Sequence, residues 1–326
     1  MNAAGNENYP LLKNKTMKRI IYILIGILTP AIYSQLHAQQ DPHYTHYMYN
    51  TLSVNPAYAG SRDVLNISAL DRQQWIGLDG APSTQTVFIH SPLKNRKMGL
   101  GFSVVNDRIG PLNQTFIYGD YSYTVKLTQT MKLAFGMQAG LNWFQPKISG
   151  LATTQANDPS FTGSTLQSFI KPNLGAGIYL HDNNWYVGVS APRLLKTTFN
   201  LGSKGDTTQI DQLQHSFFIA GGIIPVSSDL KLKPTCMVKI VKNAPLSIDL
   251  TLEALIREQF TIGAGIRYKD SYYGLVGYQF SSQFRAGVSF DYTSTRLQNV
   301  NNGTIELMLS YDFLNKQDKL RSPRYF

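Results

Sequence analysis

The stretch that decides the fold runs from Phe260 to Phe313 and holds four short segments: FTIGAGIRY (260–268), YYGLVGYQF (272–280), FRAGVSFDY (284–292) and TIELMLSYDF (304–313). In the third segment, apolar residues alternate with Arg285, Ser289 and Asp291. This period of two is that of a β-strand, whose successive side chains point to opposite faces. Three residues separate the first segment from the second and the second from the third, so these neighbouring strands must form antiparallel hairpins, whereas a longer gap precedes the fourth segment.

The two faces of these segments differ in character. One carries charged side chains, whereas the other is aliphatic and aromatic and often ends in Tyr or Phe. A soluble sheet could show the same alternation. Repetition of the pattern along the whole chain, together with the aromatic strand ends, indicates a transmembrane barrel.

The composition suits a barrel wall. The chain has 326 residues, enough for one large or two ordinary domains, and charged residues make up 15% of it against roughly a quarter in soluble domains. Without the first 38 residues, 26 basic and 19 acidic residues leave a formal charge of +7 that no helix or loop concentrates, which is not the pattern of a nucleic-acid-binding protein. Cys236 is the only cysteine, so no intramolecular disulfide forms.

The first 38 residues resemble an export signal. Basic residues from Lys13 to Arg19 precede the apolar run Ile20 to Leu28, and His37-Ala38 before Gln39 offers a cleavage site. Met17 is an alternative start. An uncleaved anchor remains an alternative, although the apolar run is shorter than the roughly 20 residues that a membrane span needs.

Fourteen segments with strand character can be counted after the signal, an even number. We predict an all-β fold, a closed antiparallel outer-membrane β-barrel, because an open sheet edge in lipid would leave backbone groups unpaired. The segments are 64–71, 85–91, 98–106, 115–126, 132–145, 169–181, 185–191, 213–224, 230–241, 246–254 and the four quoted above.

Four parts of the chain are predicted: a signal peptide with an N-terminal extension at 1–38, a periplasmic N-terminal segment at 39–63, the β-barrel at 64–313 and a C-terminal periplasmic tail at 314–326. If the first strand rises from the periplasm, the even-numbered connections are all short. The long connections, such as 146–168 and 192–212, then lie outside the cell. Short periplasmic turns with longer outer loops are typical of outer-membrane barrels.

The N-terminal segment is unlike the strands that follow it. Pro42 and Pro56 interrupt regular structure, and Tyr44, Tyr47 and Tyr58 belong to an apolar set too large for a solvated tail. We therefore expect this segment to pack in or under the barrel at its periplasmic mouth. Aromatic anchoring of a simple spacer at the membrane interface is the alternative.

Two blocks of motifs carry a family resemblance. The first holds Asp41, Pro42, Tyr44 and Tyr47, and then Asn55, Pro56, Ala57, Tyr58 and Gly60; the second holds Arg72, Trp75, Gly80, Pro82, Asp107 and Gly110. In order and spacing they resemble the PorP/SprF family, outer-membrane proteins of the type IX secretion and gliding machinery.

This resemblance implies a non-enzymatic component in the outer membrane of a Gram-negative bacterium, which assists secretion or surface attachment of cargo proteins such as adhesins. The implied partners are the periplasmic lipoprotein ring of the machinery, secreted cargo with a C-terminal sorting domain, and outer-membrane lipid. The motif residues are the expected contact positions.

The residues themselves offer little catalytic chemistry. His90 adjoins Ser91, but adjacent strand residues point to opposite faces and cannot act as a base and nucleophile pair. His43 and His46 near Asp41 lack the fixed scaffold of a metal site. The pairs Gly99/Gly101 and Gly263/Gly265 lack the rest of a phosphate loop and mark positions where another backbone approaches the wall. We predict no catalytic, cofactor or metal site.

One set of charged residues is predicted to face the lumen. Mixed signs favour an ion-pair network in a filled lumen over a selective channel. A general or ligand-selective diffusion porin, with an open lumen, remains the alternative function, and a secreted all-β binding module is a third class. The predicted lumen residues are Lys132, Asp249, Glu253, Arg267, Arg285, Asp291, Glu306 and Asp312.

Overall fold

A computed structural model describes residues 42–146, 168–200, 209–212, 214–242 and 244–314. The predicted signal peptide, Asp41 and all of the C-terminal tail but residue 314 lie outside these ranges. Within them, fourteen long antiparallel strands close into one barrel, which confirms the predicted fold class and strand number. The strands are β1 Leu65–Gln73, β2 Ser83–Pro92, β3 Met98–Ile109, β4 Leu112–Lys126, β5 Lys132–Pro146, β6 Phe169–His181, β7 Trp185–Arg193, β8 His215–Gly222, β9 Leu230–Val241, β10 Ser247–Ile256, β11 Phe260–Arg267, β12 Ser271–Gln279, β13 Phe284–Thr293 and β14 Thr304–Phe313.

The ring closes where the two ends of the barrel sequence meet. Strand β1 pairs with β14 from Leu65↔Phe313 to Gln73↔Ile305. Each strand thus has a hydrogen-bonded neighbour on both sides, including β8, which lies between β7 and β9. Closure satisfies the backbone groups that an open edge would expose to lipid.

Some details of the strands differ from the sequence-based prediction. Strands β3 and β4 extend to Ile109 and Leu112, because Gly110 has a φ of +54° and allows a two-residue turn. The connection between β7 and β8 contains an unpredicted hairpin, Thr197–Asn200 with Gln209–Gln212. A two-residue strand, Ile224–Pro225, also pairs with β9. Among the described residues, no helix combines the length and the apolar character of a membrane span.

The alternation along each strand separates a wall surface from an interior. On β13, Val288, Phe290 and Tyr292 are exposed on the outside of the barrel, and Ser289 and Asp291 are buried inside. Strand β5 repeats this pattern. An outward apolar band with an inward polar face is the arrangement of a transmembrane barrel.

The two ends of the barrel differ in their connections. One end, here called the turn end, has the short connections 93–97, 127–131, 182–184, 223–229, 257–259 and 280–283. The other, the loop end, includes 74–82, 294–303 and the connections after β5 and β7, parts of which lie outside the described ranges. In the predicted orientation the turn end is periplasmic and the loop end faces outward.

The wall assignment predicts the effect of a charge on the lipid-facing surface. Val288→Arg in the middle of β13 should lower the free energy of unfolding by about 2–4 kcal/mol, and Tyr292→Arg near the strand end by about 0–1 kcal/mol. Urea unfolding of the protein in lipid vesicles measures both. Equal costs at the two positions would contradict the placement of Val288 in the apolar band.

Candidate functional site: the segment inside the barrel

The barrel lumen is filled by the chain's own residues Pro42 to Asp63, here called the lumen segment. Nearly all of its side chains are buried, and Met48 and Ala57 are completely enclosed. It holds two short 3-10 turns, Thr51–Ser53 and Pro56–Tyr58. The segment begins in the loop-end half of the lumen and reaches the turn end where β1 starts.

Because the lumen segment is not a strand, its backbone needs partners other than a ladder, and wall side chains supply them. Glu306 accepts hydrogen bonds from the backbone amides of Thr45 and His46, at 2.9 and 2.8 Å. Ser190 donates to the carbonyl of Val54 at 2.6 Å, and Ser122 to that of Ala59 at 2.6 Å. Buried backbone groups left unpaired would cost free energy, so these wall residues fix the segment's path.

Wall glycines make room for the segment's second half. A Cβ at Gly136 of β5 would lie 2.1 Å from the Ala57 nitrogen, and one at Gly99 of β3 would lie 2.2 Å from the Ala59 oxygen. On β6, Gly177 faces the Asn55 side chain at a similar distance. The expectation that glycine marks a close backbone approach therefore holds at Gly99. Gly263 and Gly265 instead face wall side chains of β10 and β12.

Tyrosines anchor the segment to different strands. The Tyr44 hydroxyl lies 2.7 Å from Thr86 Oγ1 on β2, and Tyr47 donates to Thr235 on β9 at 3.2 Å. The Tyr49 ring packs against two cations. Each tyrosine side chain buries a large apolar area and has a polar or cationic partner on the wall. These contacts hold the segment at several points around the barrel.

An ion cluster ties the start of the segment to β1, β13 and β14. Arg72 lies 2.7 Å from Asp291 and 3.0 Å from Glu306. It also donates to the Thr45 hydroxyl at 3.1 Å, and that hydroxyl donates to Asp291 at 2.9 Å. His46 Nδ1 lies 2.8 Å from Glu306. All five side chains are buried.

The ion cluster continues along the wall to β10 and β11. Arg267 lies 3.4 Å from Asp291 and 2.9 Å from Asp249. The other oxygen of Asp249 lies 2.8 Å from Nε2 of His43 in the segment. Charges of both signs from the segment and the wall thus alternate in one buried network.

Two further groups of charges line the turn-end half. Lys233 of β9 lies 3.3 Å from Glu253 and 3.8 Å from the centre of the Tyr49 ring, which Arg285 also approaches at 4.8 Å. Asp312 pairs with Arg62 through two hydrogen bonds of 3.1 and 2.9 Å.

Removal of one partner from such a buried pair is strongly destabilising, whereas a complete pair adds little net stability. The network therefore specifies where the segment lies more than it adds stability. Of the predicted lumen residues, Asp249, Glu253, Arg267, Asp291 and Glu306 are buried inside the barrel, Arg285 is half-buried, and Lys132 lies at the turn end, 3.2 Å from Asp63.

The motif residues fall in two places. Those of the first block from Pro42 to Gly60 lie in the lumen segment, whereas Asp41 is outside the described residues. Trp75, Gly80 and Pro82 lie in the loop-end connection between β1 and β2. Gly110 donates to the Gly80 carbonyl at 2.8 Å, and Asp107 accepts from Thr84 at 2.6 Å. Arg72 belongs to the second block by sequence and contacts the first block's segment in space.

Sequence reasoning missed several lumen residues. His46 was not predicted to pair with a wall carboxylate although it contacts Glu306, and Lys233 was not predicted to face inward. The alternation along β9 carries the missing signal, since Lys233, Thr235, Met237 and Lys239 share one face opposite Leu232, Val238 and Ile240. His90 also points inward, where Nδ1 accepts from the Gly60 amide at 3.1 Å.

This arrangement suits a structural role better than a chemical one. His43 and His46 are each held by a different wall carboxylate. Among the described residues, no group of three or more His, Cys, Asp or Glu side chains is placed to hold a metal ion. His90 faces the lumen while Ser91 lies on the outer face, as the strand period requires.

The ion cluster predicts a strong effect of Arg72→Ala. This change leaves two buried carboxylates without their main cation, so we expect the free energy of unfolding to fall by about 3–5 kcal/mol. Arg296→Ala, at an exposed site in the loop-end helix Arg296–Asn299, should change it by less than about 0.5 kcal/mol. Urea unfolding in lipid vesicles measures the free energy of unfolding of both variants. If Arg72→Ala lowered it no more than Arg296→Ala, the result would argue against the ion cluster.

The glycine contacts predict that Gly136→Val displaces the lumen segment. Its new side chain would occupy the position of Ala57, whereas Gly119→Val on β4 faces outward with only the Ala139 oxygen within 4 Å. Both variants should still form the barrel by heat-modifiable gel migration. Limited proteolysis should cut the segment only in Gly136→Val, and a protected segment in that variant would contradict the packing.

Known proteins with similar features are found at the level of sequence family and of fold. A family model described as type IX secretion system membrane protein PorP/SprF matches residues 36–311. No curated protein matches the chain. Similar solved structures include the CymD monoaromatic hydrocarbon channel, with 11% identity and a TM-score of 0.49 over 82% of this chain and 93% of that one.

Two further structures are the Acinetobacter baumannii outer membrane protein Omp33, with 9% identity and a TM-score of 0.44 over 77% of this chain and 100% of that one, and the KdgM porin, with 10% identity and a TM-score of 0.37 over 76% and 99%. The family match includes the lumen segment, both motif blocks and thirteen complete strands of the barrel. The protein is an outer-membrane β-barrel, and the chain belongs to the PorP/SprF family of type IX secretion system membrane proteins.

Proposed function

We propose that this barrel is a non-enzymatic anchoring component of the type IX secretion machinery, which assists secretion or surface attachment of cargo proteins such as adhesins. The observation that carries the proposal is the filled lumen. Residues 42–63 occupy the interior from the loop-end half to the turn end and are held there by the ion cluster. A barrel of this kind acts through its surfaces and ends.

The filled lumen weighs against the alternative of a diffusion porin. A porin needs a continuous polar path, and here the inward charges pair with one another or with the lumen segment. For the same reason an unfolded cargo chain has no route through the barrel while the segment is in place. The charged lumen residues therefore support a structural network, and cargo passes elsewhere.

The partners proposed are the periplasmic lipoprotein ring at the turn end and secreted cargo with a C-terminal sorting domain at the loop end. The turn end is where the lumen segment leaves the interior, at Arg62 and Asp63, and where β14 ends at Phe313. The loop end presents the motif residues Trp75, Gly80 and Gly110. Between these two ends, the lumen segment extends from the loop-end half of the interior to the turn end.

A deletion strain tests the anchoring role. Loss of this protein should remove specific sorting-domain cargo from the cell surface, and the surface proteome measured by mass spectrometry with and without the gene reads this out. A porin would leave those proteins in place. In planar bilayers the purified protein should carry no steady ionic current, so a stable open-channel conductance would favour the porin instead.

A matched pair of variants tests whether the lumen segment matters for this role. Replacement of Tyr44, Tyr47 and Tyr49 by Ser removes three ring contacts, whereas replacement by Phe keeps the rings and loses only the hydroxyls. In the deletion strain the Phe variant should restore cargo display, and the Ser variant should insert as a heat-modifiable barrel and fail to do so. Normal display with the Ser variant would show that the segment is only a spacer.

A further inference from the structure

The outer surface of β1 to β4 carries a polar network where a barrel wall is expected to be apolar. Asp71 Oδ1 accepts hydrogen bonds from Gln73 at 3.0 Å and from Gln85 at 2.9 Å. Gln85 is 3.4 Å from Asn106, which is 3.3 Å from Thr115. Along each strand, these residues alternate with residues whose side chains are buried in the lumen. The network therefore lies on the outer surface of the barrel.

Strand register shows that the network interrupts an apolar row. Across the ladder, Asp71, Gln85, Asn106 and Thr115 are directly paired neighbours. The same row continues to Trp143 on β5 on one side and to the exposed Leu307 on β14 on the other. Trp is typical of the boundary between the apolar core of a membrane and its headgroups. Asp71, Gln85 and Asn106 also lie within three residues of the loop-end limits of their strands, so the network lies near the headgroups at the loop end.

A pocket of about 460 Å³ lies beside the network on the same outer surface. Its apolar part includes Ile305 and Leu307 of β14 and Pro82 of the connection between β1 and β2. Its polar part includes Asp71 and Gln73. Strand register pairs Leu307 with Asp71 and Ile305 with Gln73, so an apolar and a polar side lie next to each other in this pocket, which fits an amphipathic ligand.

We infer that this surface is a binding site for a glycolipid of the outer leaflet, with an acyl chain against Ile305 and Leu307 and sugar hydroxyls on Asp71, Gln73 and Gln85. Carboxylate and amide groups both accept hydrogen bonds from hydroxyls, and the amides also donate. Arg108 is exposed two residues beyond Asn106 toward the loop end and supplies a cation for a phosphate of the same lipid. The site lies on the outer surface of the barrel, away from the lumen segment.

Lipopolysaccharide binding to the purified, detergent-solubilised protein tests this inference. Purified rough lipopolysaccharide is the probe, phosphatidylethanolamine is the competitor, and retained lipid is measured by native mass spectrometry. The double variant Asp71→Leu, Gln85→Leu removes the centre of the network and should bind lipopolysaccharide about tenfold more weakly, since two hydrogen-bonding groups are lost. Gln298→Leu, at an exposed site of a loop-end helix, should bind like the unmodified protein.

Because both substitutions face outward and make the wall more apolar, heat-modifiable migration should show that the double variant still folds. Saturable lipopolysaccharide binding that the double variant weakens and phosphatidylethanolamine does not displace supports the site. Equal binding by the double variant overturns it. Displacement by phosphatidylethanolamine at equal concentration, or a dimer that excludes lipid from this face, also overturns it.

Discussion

The carboxylate of Glu306 is the contact on which the interior depends. Glu306 belongs to β14, the last strand of the barrel. Its carboxylate accepts hydrogen bonds from two backbone amides of the lumen segment and pairs with Arg72 of the first strand. A buried carboxylate requires both charge and hydrogen-bonding partners, and a non-strand backbone in a closed barrel requires acceptors. Glu306 meets both requirements. It therefore links the two strands that close the barrel, β1 and β14, to the segment inside it.

The wall of this protein is that of a pore, and its interior is that of a soluble protein. The lumen holds a core of tyrosines, methionines and leucines with interspersed ion pairs, in which the segment Pro42 to Asp63 packs against all sides. The apolar band faces lipid, so the hydrophobic effect in water can act only on this interior. The segment therefore supplies the packing that a water-filled barrel lacks.

The strands could be predicted from the sequence because the alternation of apolar and polar residues is a local pattern. It can be recognised within one segment, without knowing which strand pairs with it. Val288 and Asp291 can be assigned to opposite faces from their neighbours alone. The same reasoning could not pair His46 with Glu306, because 260 residues separate them and only closure of the ring brings them together. Lys233 was within reach of the same local reasoning, because the alternation along β9 puts it on one face with Thr235 and Met237. Composition predicted that the N-terminal segment would pack in or under the barrel at its periplasmic mouth, and the structure shows that the segment extends through the lumen into the loop-end half.

The position of the lumen segment also constrains the order in which the protein is assembled. The segment precedes every strand, yet its contacts reach from β2 to β14, and Thr45 and Glu306 are 261 residues apart in the chain. Contacts so distant in sequence form slowly, because the entropy of closing the intervening chain is lost before they stabilise anything. Because Glu306 lies on the last strand to be synthesised, the contacts that hold the start of the segment can form only after every other strand has been made.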